Sequence, residues 1–234
     1  MKIAIATTFH PSLAHLAAIT DQNKRDYAAI HGYDYHRIDI LPAGMNYAWS
    51  RWRQFLDLFQ NGYAWILCCG VDVIFTNFYI QIEALIGNDT DVIASRDALM
   101  IQGDVLLVRN SQKGREFLEE VISLEPVYRH DWFQDQTAME HIIKTRPGLV
   151  TLVPQFVLQT YEYAKYAGLG GNYALSLDAQ GNRGQWRSGD YILHVPGCEM
   201  NTKIAEIEAH LPMVIRPSST PRLSNPPIQS KAAP

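Results

Sequence analysis

Cysteine is scarce in this chain: Cys68, Cys69 and Cys198 are the three in 234 residues, and no two stand in a CxxC spacing. The odd count and the missing pair motif exclude a disulfide framework and a structural zinc ribbon, and point to reduced thiols. Cys68 and Cys69 are neighbours, so in a strand they point to opposite faces and cannot chelate one ion; both read as core filler. A charge excess of one sign is missing too. The formal net charge is −4 with a pI near 6.0, and Lys24-Arg25 and Arg51/Arg53 are the only local basic concentrations. That leaves no electrostatic footprint for nucleic acid or an anionic membrane. No apolar run approaches the roughly 18 residues of a transmembrane helix, and the apolar start is broken by polar residues and Pro11, unlike a signal sequence. A cytoplasmic location with no transmembrane segment is the expectation. A Walker loop, a GxGxxG after a strand, GxSxG and HExxH are also lacking, so P-loop NTPases, dinucleotide oxidoreductases, serine hydrolases and zincins lose motif support.

What is there has the make-up of a globular enzyme: 47% hydrophobic and 19% charged residues, long enough for one domain with a sizeable core. Periodicity and turn signals place strands at 2–8, 33–38, 91–95, 105–109, 149–153 and 191–195. Helices are expected from Pro11-Ser12 to before Gly32, and at 49–59, 79–86, 114–124 and 132–144, the last capped by Asp131. Strand–helix alternation in the first half implies a parallel, Rossmann-like nucleotide-binding half of about 1–110. The half at about 111–212 is less regular, and 161–189 is Gly- and Tyr-rich with no period. Six of the twelve prolines fall in 212–234, so 213–234 reads as a flexible tail.

The run Trp65-Ile66-Leu67-Cys68-Cys69-Gly70-Val71 reads as a buried central strand that stops at Asp72, before the apolar pattern resumes to Asn77. A carboxylate there is costly to bury alone, and ligands gather at the carboxyl ends of strands in open α/β sheets. Asp72 is therefore a candidate holder of a cation or polar ligand. His194 ends the apolar strand Tyr191-Ile192-Leu193 and could complete a cation site with it, though a strand-end histidine can also be structural. An Asp oxygen with an imidazole nitrogen suits Mn²⁺ better than the all-oxygen shell typical of Mg²⁺, which stays as the alternative. On the helix at 132–144, projecting back from Met139, Ile142 and Ile143 at 100° per residue puts Asp135 and Gln136 on the inward face. Such a pair must be hydrogen-bonded or line a cavity; an acidic residue answering the helix dipole is the plainer reading of Asp135.

Together these segments resemble retaining glycosyltransferases of the GT-A fold, above all the family of galactomannan galactosyltransferases, yeast α-mannosyltransferases and xyloglucan xylosyltransferases (family 34), with echoes of family 8. The likeness runs over about residues 1–203. It is carried by His31-Gly32-Tyr33, by Trp49-Ser50-Arg51, and by the Trp65 strand, similar to the one bearing the family's DxD motif. Gln102-Gly103-Asp104 through Ser111, the Asp135-Gln136 pair, Val153-Pro154-Gln155 with Gln159-Thr160-Tyr161, and Gly189 to Cys198 complete it in the family's order.

The resemblance implies an α/β GT-A fold: a mostly parallel central sheet flanked by helices, with a smaller, irregular acceptor-side half. It implies transfer of a hexose or pentose from a nucleotide-diphosphate sugar, a UDP-sugar favoured, to a saccharide or glycoconjugate hydroxyl with retention, in polysaccharide biosynthesis. Asp72 and His194 would bind Mn²⁺ with the donor diphosphate, and Asp135 and Gln136 would lie on the sugar side of the anomeric carbon, near the acceptor. Thr7 and Thr8 would meet the nucleotide, Arg51 its phosphates or base, and Lys203 the diphosphate, while Gln102 and Asp104 would shape the sugar pocket. Three positions depart from the pattern: Gly70 stands for the first Asp of DxD, Gln102 for an Asn and Asp104 for a Gly. Gly70 motivates one alternative, a GT-A fold that binds nucleotide sugar or glycan without turnover. A nucleotidyltransferase is a second, against which stands the lack of a GxGxR loop after the first strand.

Overall fold

Strand β1 (Ile3–Thr8) is buried along its whole length, and its side chains divide by parity. Ile3 and Ile5 pack with Leu67 and Cys69 on one side, Ala4 and Ala6 with Ile66 and Cys68 on the other. A strand apolar on both faces needs cover on both, which fixes it inside a sheet between two layers. The structure, a computed structural model, describes residues 1–38 and 47–218. After β1 come α1 (Ala14–His31), β2 (Asp34–Ile38), α2 (Tyr47–Gln60), β3 (Trp65–Cys69), β4 (Val73–Phe75), β5 (Val92–Arg96) and β6 (Ile101–Arg109). Then follow α3 (Gln112–Ser123), α4 (Glu125–Tyr128), α5 (Asp135–Thr145), β7 (Thr151–Val153), α6 (Gln155–Leu158), α7 (Gly171–Ala174), β8 (Ile192–His194) and α8 (Met200–His210).

Six strands form one sheet in the order β2-β1-β3-β6-β5-β7, and β4 and β8 pair separately. β1 is parallel to β2 and β3, β5 is parallel to β7, and β6 runs antiparallel to β3 and β5. This is the α/β, mostly parallel GT-A architecture expected above. One layer is α2, α3 and α5, packed through Trp52, Phe55, Phe117, Met139 and Ile142. The other is α1 with the β4·β8 ribbon, where Tyr27 stacks on Phe75 at 3.8 Å between ring centres. Gly32, at φ 71°, ends α1 in the left-handed conformation that favours glycine, its N–H bonded to Ala28 O.

α1 carries a buried polar face. Thr20, Asn23 and Lys24 lie at helical spacing; Thr20 and Lys24 reach the segment linking β3 to β4, and Asn23 reaches the end of β4. Lys24 Nζ donates to Gly70 O at 2.8 Å, to Thr20 Oγ1 at 3.1 Å and to Val71 O at 3.4 Å. Thr20 Oγ1 donates to Val71 O at 2.8 Å, and Asn23 exchanges two bonds with the backbone of Phe75 at 2.8 and 2.9 Å. Burial lowers the Lys24 pKa, opposed by Cys69 and Asp72. The three protons of its ammonium nonetheless all have acceptors, which is what burying such a group requires.

Four expectations shift. The Trp65 strand ends at Cys69, two residues before the expected stop, and the apolar resumption is β4 of the second sheet, because Asp72 O is taken by Val195 N at 3.1 Å. β6 begins at Ile101, four residues early, which brings Asp104 into a strand. The helix placed at 132–144 starts at Asp135, after a turn in which Gln134 N–H donates to Asp131 O and Gln134 has φ 43°; Asp131 caps nothing. In place of a helix at 79–86 there is a 3-10 turn, Ile82–Leu85. Past residue 212, Ile215 still bonds to Thr76 and Phe78, and Arg216 pairs with Asp26 at 2.6 Å; residues 219–234 lie outside the described set. No helix of the described residues is long and apolar enough to cross a membrane.

Candidate active site

Two registers assemble the site. Val73 lies opposite His194 in the β4·β8 ribbon, so Asp72 arrives beside the strand that carries the imidazole. In the main sheet Cys69 lies opposite Val105, and the next pair along, Gly70 N–H to Asp104 O at 2.7 Å, sets Asp104 against the turn. One ligand atom from each of Asp72, Asp104 and His194 then falls within 4.8 Å of the others.

Around that cluster each carboxylate has one oxygen held by a cation and one left inward. Asp72 Oδ2 accepts from the Lys203 ammonium, which also donates to Val195 O at 2.9 Å. Asp72 Oδ1 is 3.4 Å from His194 Nε2. Asp104 Oδ1 accepts from Arg51 Nη1 at 2.6 Å, and Asp104 Oδ2 is 3.8 Å from the same Nε2. Burial would raise the Asp72 carboxyl, but Lys203 and His194 hold it well below the usual carboxylate range. Burial would likewise lower Lys203, and Asp72 raises it.

His194 is fully buried, and its Nε2 has no hydrogen-bond partner. Its other nitrogen, Nδ1, lies 2.7 Å from Gln159 Oε1. A carbonyl oxygen can only accept, so Nδ1 carries a proton, and in the neutral ring that a metal would need the lone pair falls on Nε2. An imidazole lone pair facing two carboxylate oxygens repels its surroundings unless a proton or a metal cation lies between them. A divalent ion held at 2.0–2.3 Å from each ligand needs adjacent ligand atoms about 3 Å apart, a contraction of several tenths of an ångström from the 3.4 and 3.8 Å seen. The donor set fits such an ion.

Arg51 lies behind the cluster. Its guanidinium meets Asp135 Oδ2 through Nη2 at 2.5 Å and Nε at 3.2 Å, and Trp52 Nε1 adds a third donor at 3.0 Å. Gly103 makes room for it, since a Cβ there would come within 2.7 Å of Arg51 Nη2. Burial raises the Asp135 carboxyl and would lower the Arg51 guanidinium, which Asp135 and Asp104 hold well above its ordinary value. With three donors on one oxygen, the ionised pair is the form this geometry supports.

A cavity of about 530 Å³ opens over the cluster. Asp72, Asp104 and Lys203 form its polar floor, and Gln102, Gln136, Asp97, Tyr166 and Tyr173 also line it. Asp97 Oδ2 accepts from Gln102 Nε2 at 2.8 Å and Tyr173 OH at 3.2 Å, while its Oδ1 takes the Leu99 and Met100 N–H groups. Gln136 Nε2 is tied to Ile101 O at 3.0 Å. At the lip, Trp132 is 91% exposed beside Phe133 and Leu99.

Of the residues singled out in the sequence, Asp72, Gln102, Asp104, Gln136 and Lys203 thus line this cavity, with His194 buried beneath the first and third. Asp135 and Arg51 do not line it; they form the ion pair behind it. Thr7 is buried, and Thr8 bonds Gln54 Oε1 at 3.0 Å and, through its carbonyl, Tyr47 OH at 2.6 Å, so neither lines the cavity. Lys24, Gln159 and Asp97 were not assigned functional roles from the sequence. For Lys24 a signal existed: three polar residues at i, i+3 and i+4 within an otherwise apolar helix face. Gln159 acts through a partner 35 residues away, which no local pattern announces, whereas Asp97 meets Gln102 within its own hairpin and Tyr173 at a separation of 76.

The galactosyl transferase GMA12/MNN10 family matches the chain over residues 73–205. No curated protein sequence matches it. Among solved structures, a glycosyltransferase involved in glycosylation of the major capsid of PBCV-1 is similar at TM-score 0.66 and 17% identity, covering 89% of this chain and 100% of its own. The glycosyltransferase GlyE of Streptococcus pneumoniae TIGR4 gives 0.58 and 13%, covering 94% and 67%. The galactosyltransferase LgtC, solved with donor and acceptor sugar analogues, gives 0.57 and 13%, covering 95% and 98%.

Proposed function

The chain belongs to the galactosyl transferase GMA12/MNN10 family, and on that premise we propose that this glycosyltransferase moves a hexose or pentose from a UDP-sugar to a saccharide hydroxyl with retention of configuration, assisted by Mn²⁺. The observation that carries the metal assignment is the unpartnered Nε2 of buried His194, aimed between Asp72 and Asp104 at the floor of the cavity. An ion bound by Asp72 and His194 would neutralise charge on the departing diphosphate.

This chain's own residues supply the rest. Lys203 lies at the same floor and offers its ammonium to the diphosphate. Thr7 and Thr8 close β1 at the sheet end where ligands gather, but they are buried and off the cavity, and no contact with the donor is assigned to them. Gln102, oriented by Asp97, and Gln136, oriented by Ile101 O, face the sugar. The free carbonyl of Gln136 is suited to positive charge developing at the anomeric carbon. Asp135 acts at one remove, by fixing Arg51 and through it Asp104. The cavity-lining carboxylates among the described residues are Asp72, Asp97 and Asp104, and their oxygens are engaged by neighbours or turned to the cluster. No free enzyme nucleophile stands at the sugar position, which favours front-face attack by the acceptor hydroxyl, its proton passing to the leaving phosphate. The acceptor would rest on Trp132 and Phe133, aromatic faces at the open end.

The test is a thermal-shift screen of UDP- and GDP-sugars with Mn²⁺, since a ligand that binds the native state raises its melting point. The best donor is then carried to product, and the product anomer is read by NMR. Stabilisation by a UDP-sugar and an anomer matching the donor are expected. An inverted product, or preference for GDP-sugars, would overturn the corresponding part of the proposal.

A further inference from the structure

We propose that Asp104 is the third ligand of the divalent ion, and that its carboxylate occupies the place a side chain at position 70 would fill. One metal-binding carboxylate could then be supplied from either β6 or the end of β3. The inference rests on the metal-assisted function above and adds to it a residue and a reason for Gly70.

Gly70 is not glycine for backbone reasons. Its φ lies outside the left-handed region, unlike those of Gly32 or Gly197. Space is what demands it: a Cβ at Gly70 would lie 2.9 Å from Asp104 Cβ, 3.2 Å from Asp104 Cγ and 3.1 Å from Asp72 Oδ1. Real Cβ atoms essentially never come within 3.0 Å of such neighbours, so a side chain at 70 and the aspartate at 104 exclude one another. The atoms such a side chain would meet first belong to two of the three cluster members.

Asp104 could instead be no more than a counter-ion for Arg51. Two observations stand against that. Arg51 already has Asp135, which it meets through two nitrogens. And the Asp104 oxygen that Arg51 leaves free, on a side chain 32% exposed to the cavity, lies 3.8 Å from His194 Nε2, next to Asp72. The one atom of the cluster without a partner is His194 Nε2, and the two oxygens of Asp104 divide the work, one anchored by Arg51 and one turned to the ion.

The experiment is Mn²⁺ binding to the purified, metal-stripped full chain, read as free Mn²⁺ by electron paramagnetic resonance, so that no turnover is involved. Asp104→Asn, which keeps shape and the Arg51 contact, should weaken Mn²⁺ at least about tenfold with the metal-free melting point little changed. The transposed variant Gly70→Asp/Asp104→Gly should recover affinity to within about threefold of the parent, while Gly70→Asp alone, which crowds Asp104, should not. If Asp104→Asn binds like the parent while Asp72→Asn does not, Asp104 is no ligand, and the metal-assisted function survives. If the transposed variant stays as weak as Asp104→Asn, whether by misfolding or by poor geometry, the shared place is refuted. A parent chain that binds no Mn²⁺ would overturn both this inference and the metal-assisted function.

Discussion

The Nδ1–H of His194 donates to Gln159 Oε1 at 2.7 Å, and Gln159 Nε2 donates onward to Ser95 Oγ at 3.1 Å. Both residues are fully buried, and with Gln159 Nε2 turned to Ser95 Oγ its carbonyl is the group that faces the ring. Gln159 thus determines which nitrogen of the ring is free, and acts as a positioning residue for the metal. Gln159→Leu is expected to weaken Mn²⁺ binding about tenfold or more in titrations of metal-free protein. Gln159→Glu, which still accepts from Nδ1, should keep most of the affinity even if it costs stability. Equal losses in the two variants would mean that Gln159 only fills space.

Lys24 acts on Asp72 from behind, by holding the carbonyls of Gly70 and Val71. Lys24→Met keeps the stem and removes the donors, leaving buried carbonyls short of partners. A stability loss of about 2–4 kcal/mol in urea unfolding is expected, with weaker Mn²⁺ binding in the molecules that remain folded. Unchanged affinity would show that the turn holds its shape without the clamp.

Asp135 and Gln136 should separate cleanly. Asp135→Asn takes from Arg51 the more buried of its two carboxylates and leaves it Asp104, and a loss of about 1.5–3 kcal/mol is expected. Its double-mutant cycle with Arg51→Met should show strong coupling. Gln136→Ala should leave the melting point nearly unchanged and lower donor turnover on the order of 10²-fold. Reversal of the two patterns would return Asp135 to the sugar and Gln136 to the scaffold.

Trp132 is exposed enough that Trp132→Ala should alter stability by no more than about 0.5 kcal/mol. Its effect belongs to the acceptor: a raised KM for the saccharide, with acceptor-independent donor hydrolysis unchanged. A parallel loss of donor hydrolysis would place Trp132 in the donor site.

Asp72 and His194 were legible in the sequence because both are polar residues closing apolar strands, a pattern that locates them along the chain and at the sheet's ligand end. The α/β order was legible for the same reason, since each element carries its own period. What could not be read was direction in space at finer grain. Asp135 and Gln136 both project toward the inner side of α5, yet the 100° between them sends one into a buried ion pair with Arg51 and the other to the cavity wall. An inward face does not tell a cavity from a core. Asp104 was placed in the sugar pocket, where it does line the cavity; that it shares its space with Gly70 depends on the β3–β6 register, which no local pattern contains. Asp131 and Gln134 show the limit on boundaries, as a turn stabilised by backbone bonds replaced a side-chain cap.

Release of nucleoside diphosphate from a panel of UDP-sugars, measured in the parent chain and in Asp72→Asn and His194→Ala with and without Mn²⁺, tests most directly whether this cluster drives sugar transfer. At least one donor should be turned over by the parent, turnover should vanish with a chelator and return with Mn²⁺, and both variants should fall by about 10²-fold or more. Turnover that is indifferent to Mn²⁺ and equal in the parent and both variants would contradict it.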